Sequence, residues 1–334
     1  MRGIRFEAEG RAQVVPLPVP AAGPGEVVVA VTSTGVCGSD LSALQGKHIF
    51  RKPPLISGHE AGGIVHEIGE GVTAASVGDR VVIDPQRVCG QCTKCNSGRY
   101  HLCPRKQMLG ISEWDGSFAD LVSVPEYTLI PAPDRVKDEH LALAEPIAVA
   151  VHAVNRVELD AVDSALVLGG GTIGSLITRV LTAKGVTTVD VVEPRTFLEP
   201  TLAAMGASEV HEPGTLPSGP DDRYDAIFIA AGVPALLETA FDRIATGGTI
   251  IQVAVFSSGL EVPVGELQVK EISFLGTAMY IRQDFIEALE IMARYPEIAD
   301  LLVTRNTTLE EGVELINDMA AHGPGDILKL VMVP

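Results

Sequence analysis

The chain has 334 residues, which is too long for one simple core and fits two domains of ordinary size. Its formal net charge of −18 argues against nucleic acid as a partner, because binding phosphates requires a basic surface. No uninterrupted apolar run is long enough to cross a bilayer, and the start, MRGIRFEAEG, lacks the apolar segment of a secretory signal. We therefore expect a cytoplasmic protein with neither a membrane nor a nucleic-acid partner.

The first part of the chain, residues 1–145, is predicted to form a compact and mostly antiparallel β domain. Valine-rich runs alternate with Pro and Gly breaks in PLPVPAAGPGEVVVAVTSTG. Strands bounded by glycine follow in AGGIVHEIG, GDRVVIDP and FADLVSVP.

A dispersed set of residues in this domain has the composition of a catalytic zinc site. Its members are Cys37 in GVCGSD, His59 and Glu60 in SGHEAGG, and Glu145 in LAEPIAV. One thiolate, one imidazole and one or two carboxylates can hold zinc and leave a position for water or substrate. Each residue taken singly also has an ordinary explanation, as a core thiol, a hydrogen-bonded histidine or a helix-start acid.

The other four cysteines lie together in residues 89–103, CGQCTKCNSGRYHLC. Their spacing is C-x2-C-x2-C-x7-C, and in a reducing compartment such a cluster indicates metal ligands rather than disulfides. Four thiolates complete the tetrahedral shell of zinc and leave no position for substrate, so we predict a structural zinc site. An iron–sulfur cluster, which also uses four cysteines, is the alternative. The ligands would be Cys89, Cys92, Cys95 and Cys103.

Residues 146–281 are predicted to form a parallel sheet flanked by helices. Strand, glycine turn and amphipathic helix follow one another in ALVLGGGTIGSLITRVLTAKG, and further buried strands lie in VTTVDVVEP, YDAIFIAAG, GGTIIQVAVF and EISFLGTAMY. Strands that alternate with helices indicate right-handed βαβ units, so the fold class is α/β. Residues 282–334 hold two helical stretches and a closing strand, ILKLVMV.

The glycine turn between the first of these strands and its helix matches the dinucleotide fingerprint G-x-G-x-x-G. Gly169 permits the tight turn, Gly171 lets the backbone approach a pyrophosphate, and Gly174 lets helix and strand pack closely. The helix start at Thr172 and Ile173 offers unpaired N–H groups to the phosphates. The alternative is an ordinary strand–helix turn that happens to contain three glycines.

An acid at the end of the next strand supports the cofactor interpretation. Glu193 is placed to accept hydrogen bonds from the hydroxyls of the adenosine ribose and would repel a 2′-phosphate. Arg195, two residues further on, could instead bind that phosphate. We expect NAD as the cofactor and keep NADP as the alternative.

Together these motifs resemble the zinc-dependent medium-chain dehydrogenase/reductase family over essentially the whole chain. The matching elements, in order, are GVCGSD, PLISGHEAGGIVHEIG, VGDRVVI, the four-cysteine cluster, DGSFADLVSVP, AEPIAVAVHAV, GGGTIG, AAG and GGTIIQVAVF. The resemblance implies a GroES-like β domain carrying two zinc ions and a doubly wound Rossmann domain binding the dinucleotide. It also implies that the C-terminal segment returns to the first domain and that the active site lies between the domains.

The resemblance also assigns roles residue by residue. Cys37, His59 and Glu145 match the ligands of the catalytic zinc, and glutamate at the third position resembles the polyol, threonine and sugar-alcohol branch of the family. Glu60 matches an acid that can ligate the zinc transiently, and Asp40 matches the acid that orients His59. The remaining matches are Cys89, Cys92, Cys95 and Cys103 to the structural zinc ligands, and Ala231 and Val253 to backbone positions near the nucleoside and nicotinamide.

One position departs from the family pattern. Ser42 stands where relatives usually have a histidine that passes the substrate proton to solvent. Ser39 would accept the proton from the zinc-polarised hydroxyl, and Ser42 with a water would conduct it outward. His48 is the alternative acceptor, although an ordinary loop histidine is the simpler explanation for it.

The resemblance implies an enzyme that transfers hydride between a nicotinamide dinucleotide and a secondary alcohol or ketone, such as a polyol, sugar alcohol, aminocyclitol or amino alcohol. The alternatives are a zinc-independent NADPH quinone or enoyl reductase of the same fold and a non-catalytic nucleotide-binding relative. Trp114 and Phe118 are candidates for the substrate pocket, whereas Phe50 is expected to pack. The strand EISFLGTAMY could pair across a homodimer, and homotetramers also occur in the family.

Overall fold

The computed structural model describes residues 1–111, 113–217, 219, 223–256 and 259–334. It divides the chain into two compact units. The first unit contains Met1–Glu145 together with Ile281–Pro334, and the second contains Pro146–Tyr280. None of the helices in the described ranges combines the length and apolar composition that crossing a bilayer requires.

The N-terminal part of the first unit is built mainly of short strands. Its elements are β1 (Arg2–Ala8), β2 (Arg11–Pro16), β3 (Glu26–Gly35), α1 (Gly38–Leu44), β4 (Leu55–Ile56), β5 (Glu60–Ile68), β6 (Arg80–Ile83), β7 (Gln86–Arg87), α2 (Thr93–Asn96), β8 (Gln107–Met108), β9 (Leu121–Pro125) and β10 (Leu129–Pro131). Short 3-10 turns lie at Tyr100–Leu102, Glu126–Thr128 and Asp138–Leu143. The chain then passes into the second unit within α3 (Ala144–Val154).

The second unit alternates strands and helices. Its elements are β11 (Ser164–Leu168), α4 (Thr172–Ala183), β12 (Thr188–Val192), α5 (Glu199–Ala204), β13 (Glu209–His211), β14 (Tyr224–Ile229), α6 (Ala235–Arg243), β15 (Ile244–Gln252), α7 (Val264–Val269) and β16 (Ser273–Gly276). The C-terminal part, which belongs to the first unit, forms α8 (Arg282–Arg294), α9 (Glu297–Leu302), β17 (Val303–Thr307), α10 (Leu309–His322) and β18 (Lys329–Met332).

The main sheet of the first unit joins the two ends of the chain. Within the described residues its strand order is β10-β6-β5-β3-β18-β17, and β9 also pairs with β3. The central strand β3 is rich in buried valine, which suits a strand covered on both faces. Gly35 at its end pairs with Glu60 of β5 on one side and with Val331 of β18 on the other. This register brings three distant segments to one end of the sheet.

A second core of the first unit packs α10 against the N-terminal strands. Ile4 and Phe6 of β1 lie fully buried in one cluster with Leu309 and Ile316 of α10. Helix α10 begins at a capping box, in which the Thr308 side chain accepts from the backbone N–H of Glu311. The C-terminal segment is thus part of the same core as the first strands of the chain.

The sheet of the second unit is parallel and doubly wound. Across the part of the unit that the structure describes, its strand order is β13-β12-β11-β14-β15-β16, with parallel pairing between each pair of neighbours. The chain leaves β11 in one direction and returns on its other side at β14. The boundary between β11 and β14 is therefore the topological switch point, where such sheets bind ligands at the carboxyl ends of the strands. The α/β fold class with a parallel sheet is confirmed.

Candidate active site, metal centres and cofactor site

Cys37, His59 and Glu60 come together at the end of the main sheet in the first unit. Cys37 precedes α1 just after β3, and His59 and Glu60 stand at the start of β5, the strand that pairs with β3. Their sulfur, nitrogen and carboxylate ligand atoms all lie within 4.8 Å of one another. His59 and Glu60 are buried, and Cys37 is half-buried. Sulfur, imidazole and carboxylate donors gathered in this way fit a catalytic zinc ion.

The fourth residue of the expected zinc set stands apart from this group. Glu145 lies in the first turn of α3 and is buried, but it does not belong to the described group of ligand atoms within 4.8 Å. Burial lowers the pKa of Lys329, but the charges of Glu60, Cys37 and Glu145 raise it above its ordinary value. Glu145 thus acts electrostatically on the same lysine as the cluster, and its role as a ligand stays a prediction.

Asp40 connects His59 to a buried arginine. Its Oδ1 atom lies 3.6 Å from Nδ1 of His59, accepts a hydrogen bond from Arg51 at 2.7 Å and accepts another from Ser57 at 2.6 Å. Burial raises the pKa of Asp40, but the charges of His59 and Arg51 hold it well below its ordinary value. A carboxylate at Nδ1 orients the imidazole and makes its other nitrogen a better metal ligand. At 3.6 Å the two atoms form an ion pair without a hydrogen bond, so the orienting role of Asp40 stays a prediction.

The pKa of His59 reflects the same contacts. Burial and the charge of Arg51 lower it, whereas the Asp40 carboxylate raises it, and the result is a value of about 10. Without a metal ion the imidazole therefore keeps its proton, and a zinc ion must displace that proton, because a metal ligand is the neutral imidazole.

Lys329 is a site residue that the motifs did not reveal. It begins β18, its side chain is only 3% exposed, and its Nζ forms an ion pair with Oε2 of Glu60. The same Nζ donates to the carbonyl oxygen of Val36 at 3.1 Å. The signal was present in the sequence as a single lysine inside the apolar run ILKLVMV, because a buried lysine is rare unless it is paired.

Arg51 is the second residue that the motifs did not reveal. Its side chain is 4% exposed, and NH1 donates to Ser39 Oγ at 3.1 Å as well as to Asp40. In sequence it stands in the basic stretch QGKHIFRK, which predicts a solvated loop. A guanidinium has no acceptor, so Ser39 cannot pass a proton to Arg51.

The two proposed substitutes for a relay histidine differ in their surroundings. Nδ1 of His48 accepts from the backbone N–H groups of Phe50 and Arg51 at 3.2 and 3.1 Å, and burial together with the charge of Arg51 lowers its pKa. An imidazole whose pKa is lowered and whose Nδ1 already accepts two hydrogen bonds is a poor acceptor for the substrate proton. Ser42 lies half-buried in α1, and its carbonyl oxygen accepts from the backbone of Lys47 and His48. Its hydroxyl role stays a prediction.

The aromatic substrate candidates lie in the hydrophobic cores of the first unit. Phe118 is fully buried with its ring centre 6.3 Å from that of Phe6. Trp114 is buried, donates from its indole to the carbonyl oxygen of Ser123, and packs beneath the guanidinium of Arg87. These contacts fit packing roles. Phe50 was expected to pack, and that expectation is wrong, since its side chain is 71% exposed.

The four-cysteine cluster forms a lobe whose two ends are joined by a short pair of antiparallel strands. The antiparallel pair β7 and β8 brackets residues 89–103, which contain α2 and a 3-10 turn. All four thiols are free, and their sulfur atoms lie within 4.8 Å of one another. Hydrogen bonding by the backbone N–H of Gln91 lowers the pKa of Cys89 to about 6, whereas burial and the neighbouring thiols raise the pKa of Cys95 to about 11. The four thiols thus share protons when no metal is bound, and binding zinc would release those that remain.

The sulfur spacing tests whether zinc fits this lobe. The contacts Cys92–Cys95 and Cys89–Cys103 measure 3.5 Å, and Cys89–Cys95 and Cys92–Cys103 measure 3.9 Å. A tetrahedron with zinc–sulfur bonds of about 2.3 Å has sulfur–sulfur edges of about 3.8 Å. The lobe therefore has the dimensions of a closed four-thiolate zinc site.

The glycine turn of the second unit has the backbone that the fingerprint requires. Gly169 follows β11 with φ of +105°, a conformation that favours glycine. A Cβ on Gly174 would lie 1.8 Å from the carbonyl oxygen of Gly169, so only glycine fits there. Thr172 and Ile173 begin α4, and Gly171 is its N-cap. The turn lies at the switch point of the sheet and presents the helix start to a ligand.

Glu193 and Arg195 stand beside this turn. Glu193 follows β12, is 4% exposed, and accepts from the backbone N–H of Gly170 at 2.8 Å. Arg195 donates from Nε to Oε1 at 2.7 Å and from NH2 to Oε2 at 3.1 Å. The two candidate specificity residues are thus joined in an ion pair.

Ala231 and Val253 also lie at the carboxyl edge of the parallel sheet. Ala231 follows β14, and its Cβ is 2.7 Å from the position that a Cβ on Gly169 would take. Val253 follows β15 and donates its backbone N–H to Ile229 at 3.1 Å. Their positions fit contacts with a dinucleotide laid along this edge.

Comparison with known proteins matches the chain to two protein-family models. A model for the alcohol dehydrogenase GroES-like domain matches residues 23–134, and a model for zinc-binding dehydrogenases matches residues 172–294. The (R,R)-butanediol dehydrogenase of Bacillus subtilis (strain 168) is 33% identical over 336 residues, covering 94% of each chain. The sorbitol dehydrogenase of the same organism is 29% identical, covering 95% of this chain and 93% of that protein. A solved zinc-binding dehydrogenase from Sinorhizobium meliloti 1021, bound to NADP, is 28% identical with a TM-score of 0.92, covering 100% of this chain and 99% of that one.

Proposed function

As a member of the zinc-dependent medium-chain dehydrogenase/reductase family, the chain is a nicotinamide-dependent alcohol–ketone oxidoreductase, and we propose that it acts on a small polyhydroxylated secondary alcohol. The gathered donors of Cys37, His59 and Glu60 carry this proposal. The butanediol and sorbitol dehydrogenases that resemble the chain support the substrate class.

The catalytic zinc would be held by Cys37 and His59, with Glu60 and Glu145 as carboxylate ligands. Bound there, zinc supplies a Lewis acid that stabilises negative charge on the substrate oxygen. Asp40 would orient the imidazole of His59, and Lys329 would hold the Glu60 carboxylate with which it is paired. The protein thus prepares its donors before a substrate arrives.

Ser39 would bind the substrate oxygen and hold its proton. Its Oγ accepts from Arg51 at 3.1 Å, which leaves one acceptor position and its own proton for the substrate. Ser42 stands one helical turn further along α1 and could pass the proton outward with a water. The charge of Arg51 favours the step in which the substrate hydroxyl gives up its proton, because it stabilises a nearby negative charge.

The dinucleotide would lie along the carboxyl edge of the parallel sheet. The backbone of Gly169, Gly171 and Gly174, with the start of α4 at Thr172 and Ile173, would bind the pyrophosphate. Ala231 and Val253 would contact the nucleoside and nicotinamide through their backbone. The nicotinamide, when bound, accepts or gives the hydride. NAD is the cofactor that we propose from Glu193.

The lobe would hold a second zinc with a structural role. Its ligands would be Cys89, Cys92, Cys95 and Cys103, whose sulfur spacing leaves no open coordination position. The iron–sulfur alternative predicts visible absorbance in the purified protein, whereas zinc predicts none. Two zinc ions per chain is the expected metal content.

A homodimer or homotetramer is proposed from the edge of the parallel sheet. Strand β16 is its last strand, and Phe274 and Leu275 on it are only half-buried. An edge strand with free backbone groups can pair with a second copy. Light scattering that gives a monomer mass would contradict this assembly.

The experiment for the proposed function combines metal content with turnover. Dinucleotide reduction is measured over a panel of diols, sugar alcohols, amino alcohols and phosphorylated alcohols, and zinc is counted per chain. We expect two zinc ions and the fastest turnover on a diol or polyol. Unchanged turnover in a C37A/H59A double variant, or zinc-free protein that reduces quinones or enoyl compounds, would contradict the proposal. Two zinc ions with no turnover on any alcohol would favour a binding protein.

A further inference from the structure

A basic segment carries the four cysteines of the lobe. Residues 87–106 contain five Lys or Arg residues and no acid, although the whole chain has a net charge of −18. Four thiolates outweigh the charge of one Zn²⁺ ion, so excess negative charge stays on the sulfur atoms of such a site. The segment therefore supplies positive charge where the proposed zinc centre would be negative.

A tight turn at the end of the lobe directs Arg105 back to the first cysteine. The backbone N–H of Lys106 donates to the carbonyl oxygen of Cys103 at 3.2 Å, which closes the turn. Pro104 takes the second position of this turn, where its fixed φ is favourable. NH2 of Arg105 then donates to Sγ of Cys89 at 3.1 Å. The turn after the last cysteine thus places a guanidinium against the first.

The charge of Arg105 is directed to this sulfur and not to a carboxylate. Within the ranges that the structure describes, its side chain forms no ion pair with an acid. The backbone N–H groups of Gln91 and Cys92 donate to the same sulfur atom. A charged donor binds an anionic acceptor more strongly than a neutral amide does, so Arg105 adds to what the backbone already provides.

We infer that Arg105 supports the lobe zinc from outside its ligands, by stabilising the Cys89 thiolate and protecting it from electrophiles. Cys89 is half-buried, so small reagents can reach its sulfur. Groups that hydrogen-bond a metal ligand change metal affinity by about 10–100-fold. The inference rests on the proposed structural zinc, and it concerns the retention of that metal rather than turnover.

The test measures how fast each cysteine of the full-length, zinc-loaded protein reacts with iodoacetamide. Alkylation joins the sulfur to the carbon of the reagent with loss of iodide, and peptide mass spectrometry gives a separate rate for every cysteine. A chromophoric chelator counts the zinc released at the same time. The variants are R105Q and R105K. The control is R99Q, because Arg99 is exposed in the same lobe and its side chain forms neither an ion pair nor a hydrogen bond with the described residues.

In R105Q we expect Cys89 to react about tenfold faster, the lower end of the range for such contacts, because Arg105 is exposed. Zinc should leave at the rate at which Cys89 reacts, since an alkylated sulfur is no longer a thiolate ligand. R105K keeps the charge without the planar guanidinium, so its rate should lie between those of the wild type and R105Q. R99Q should react like the wild type.

A wild-type rate at Cys89 in R105Q would overturn the inference and leave the structural zinc in place. An equal increase at all four lobe cysteines would also overturn it, because Arg105 would then support the fold of the lobe and not one sulfur. The same holds if R99Q reacts like R105Q, since any cation of the lobe would then serve. If the wild-type protein releases no zinc while its lobe cysteines react as free thiols, the proposed structural zinc itself is wrong, and the inference fails with it.

Discussion

Lys329 of the closing strand and Glu60 of the zinc cluster form a fully buried ion pair. The side chains are 3% and 2% exposed, and β18 and β5 both pair with the end of β3, which brings the two residues to the same end of the sheet. A charge buried to this extent is tolerated only with a partner of opposite sign. The last strand of the chain therefore supplies the cation that holds a carboxylate of the zinc cluster.

Removing this cation should destabilise the protein. In K329M the Glu60 carboxylate stays buried without its partner, and we expect a loss of about 3–5 kcal/mol in the free energy of unfolding. The measurement is urea unfolding followed by circular dichroism. K270M is the matched control, because Lys270 pairs with Glu266 on the surface and such a pair contributes less than about 1 kcal/mol. Equal losses in both variants would contradict the role of Lys329.

Restoring neutrality should recover part of this loss. In the double variant E60Q/K329M neither side chain carries a charge, so the stability should lie closer to the wild type than that of K329M. A double-mutant cycle measures this coupling directly. Additive losses would indicate that the two residues do not act as a pair.

Arg51 should control the strength with which His59 binds metal. R51M removes the cation that holds Asp40, whose carboxylate lies 3.6 Å from Nδ1 of His59 and is proposed to orient the imidazole. We expect zinc at the Cys37–His59 site to bind about 10–100 times more weakly. Competition with a chromophoric chelator measures the affinity, and K52M, with an exposed lysine next in sequence, is the control. Wild-type zinc affinity in R51M would contradict this role.

The two metal centres should respond differently to loss of one thiol. C92S opens the lobe, so it should lose one zinc and lower the thermal midpoint, because zinc binding contributes to folding there. C37S should also lose one zinc, but the protein should stay folded without turnover. Metal analysis, circular dichroism and dinucleotide reduction on both variants check this. The reverse pattern would exchange the roles of the two centres.

Stability should depend on pH through Asp84. Burial raises its pKa to about 6, although the hydrogen bonds from Tyr100 and Gln86 lower it. Because the folded pKa lies above the unfolded value, this group stabilises the fold at low pH, and the contribution is lost as pH rises through 6. Between pH 5 and pH 8 the loss is on the order of 1 kcal/mol.

The variant D84N should lack this dependence. The difference in unfolding free energy between D84N and the wild type should therefore grow in favour of D84N from pH 5 to pH 8. Denaturant titrations at the two pH values measure it. A difference that does not grow would show that the pKa of Asp84 in the folded protein is not raised into this range.

The sequence predicted the family, the α/β fold and the parallel sheet, and all three are confirmed. These depend on local patterns: the period of apolar residues, the glycine turn and the cysteine spacing. The sequence also led to Phe50 as a packed residue, which is wrong, because exposure depends on neighbours that a local pattern does not contain.

The sequence by itself determined which chemical groups are available: the thiols, His59 and the acids as metal ligands, and the glycines of the cofactor turn, at which a side chain would be strained or would clash. Only the tertiary structure decided how these groups are paired, since ion pairs such as Glu60–Lys329 and Asp40–Arg51 depend on strand register and burial. It likewise decided that Arg195 covers Glu193 at the cofactor turn. The physical reason is that the energy and the pKa of a charged group depend on its partner and on its exposure to solvent. Both are set only when distant segments pack together.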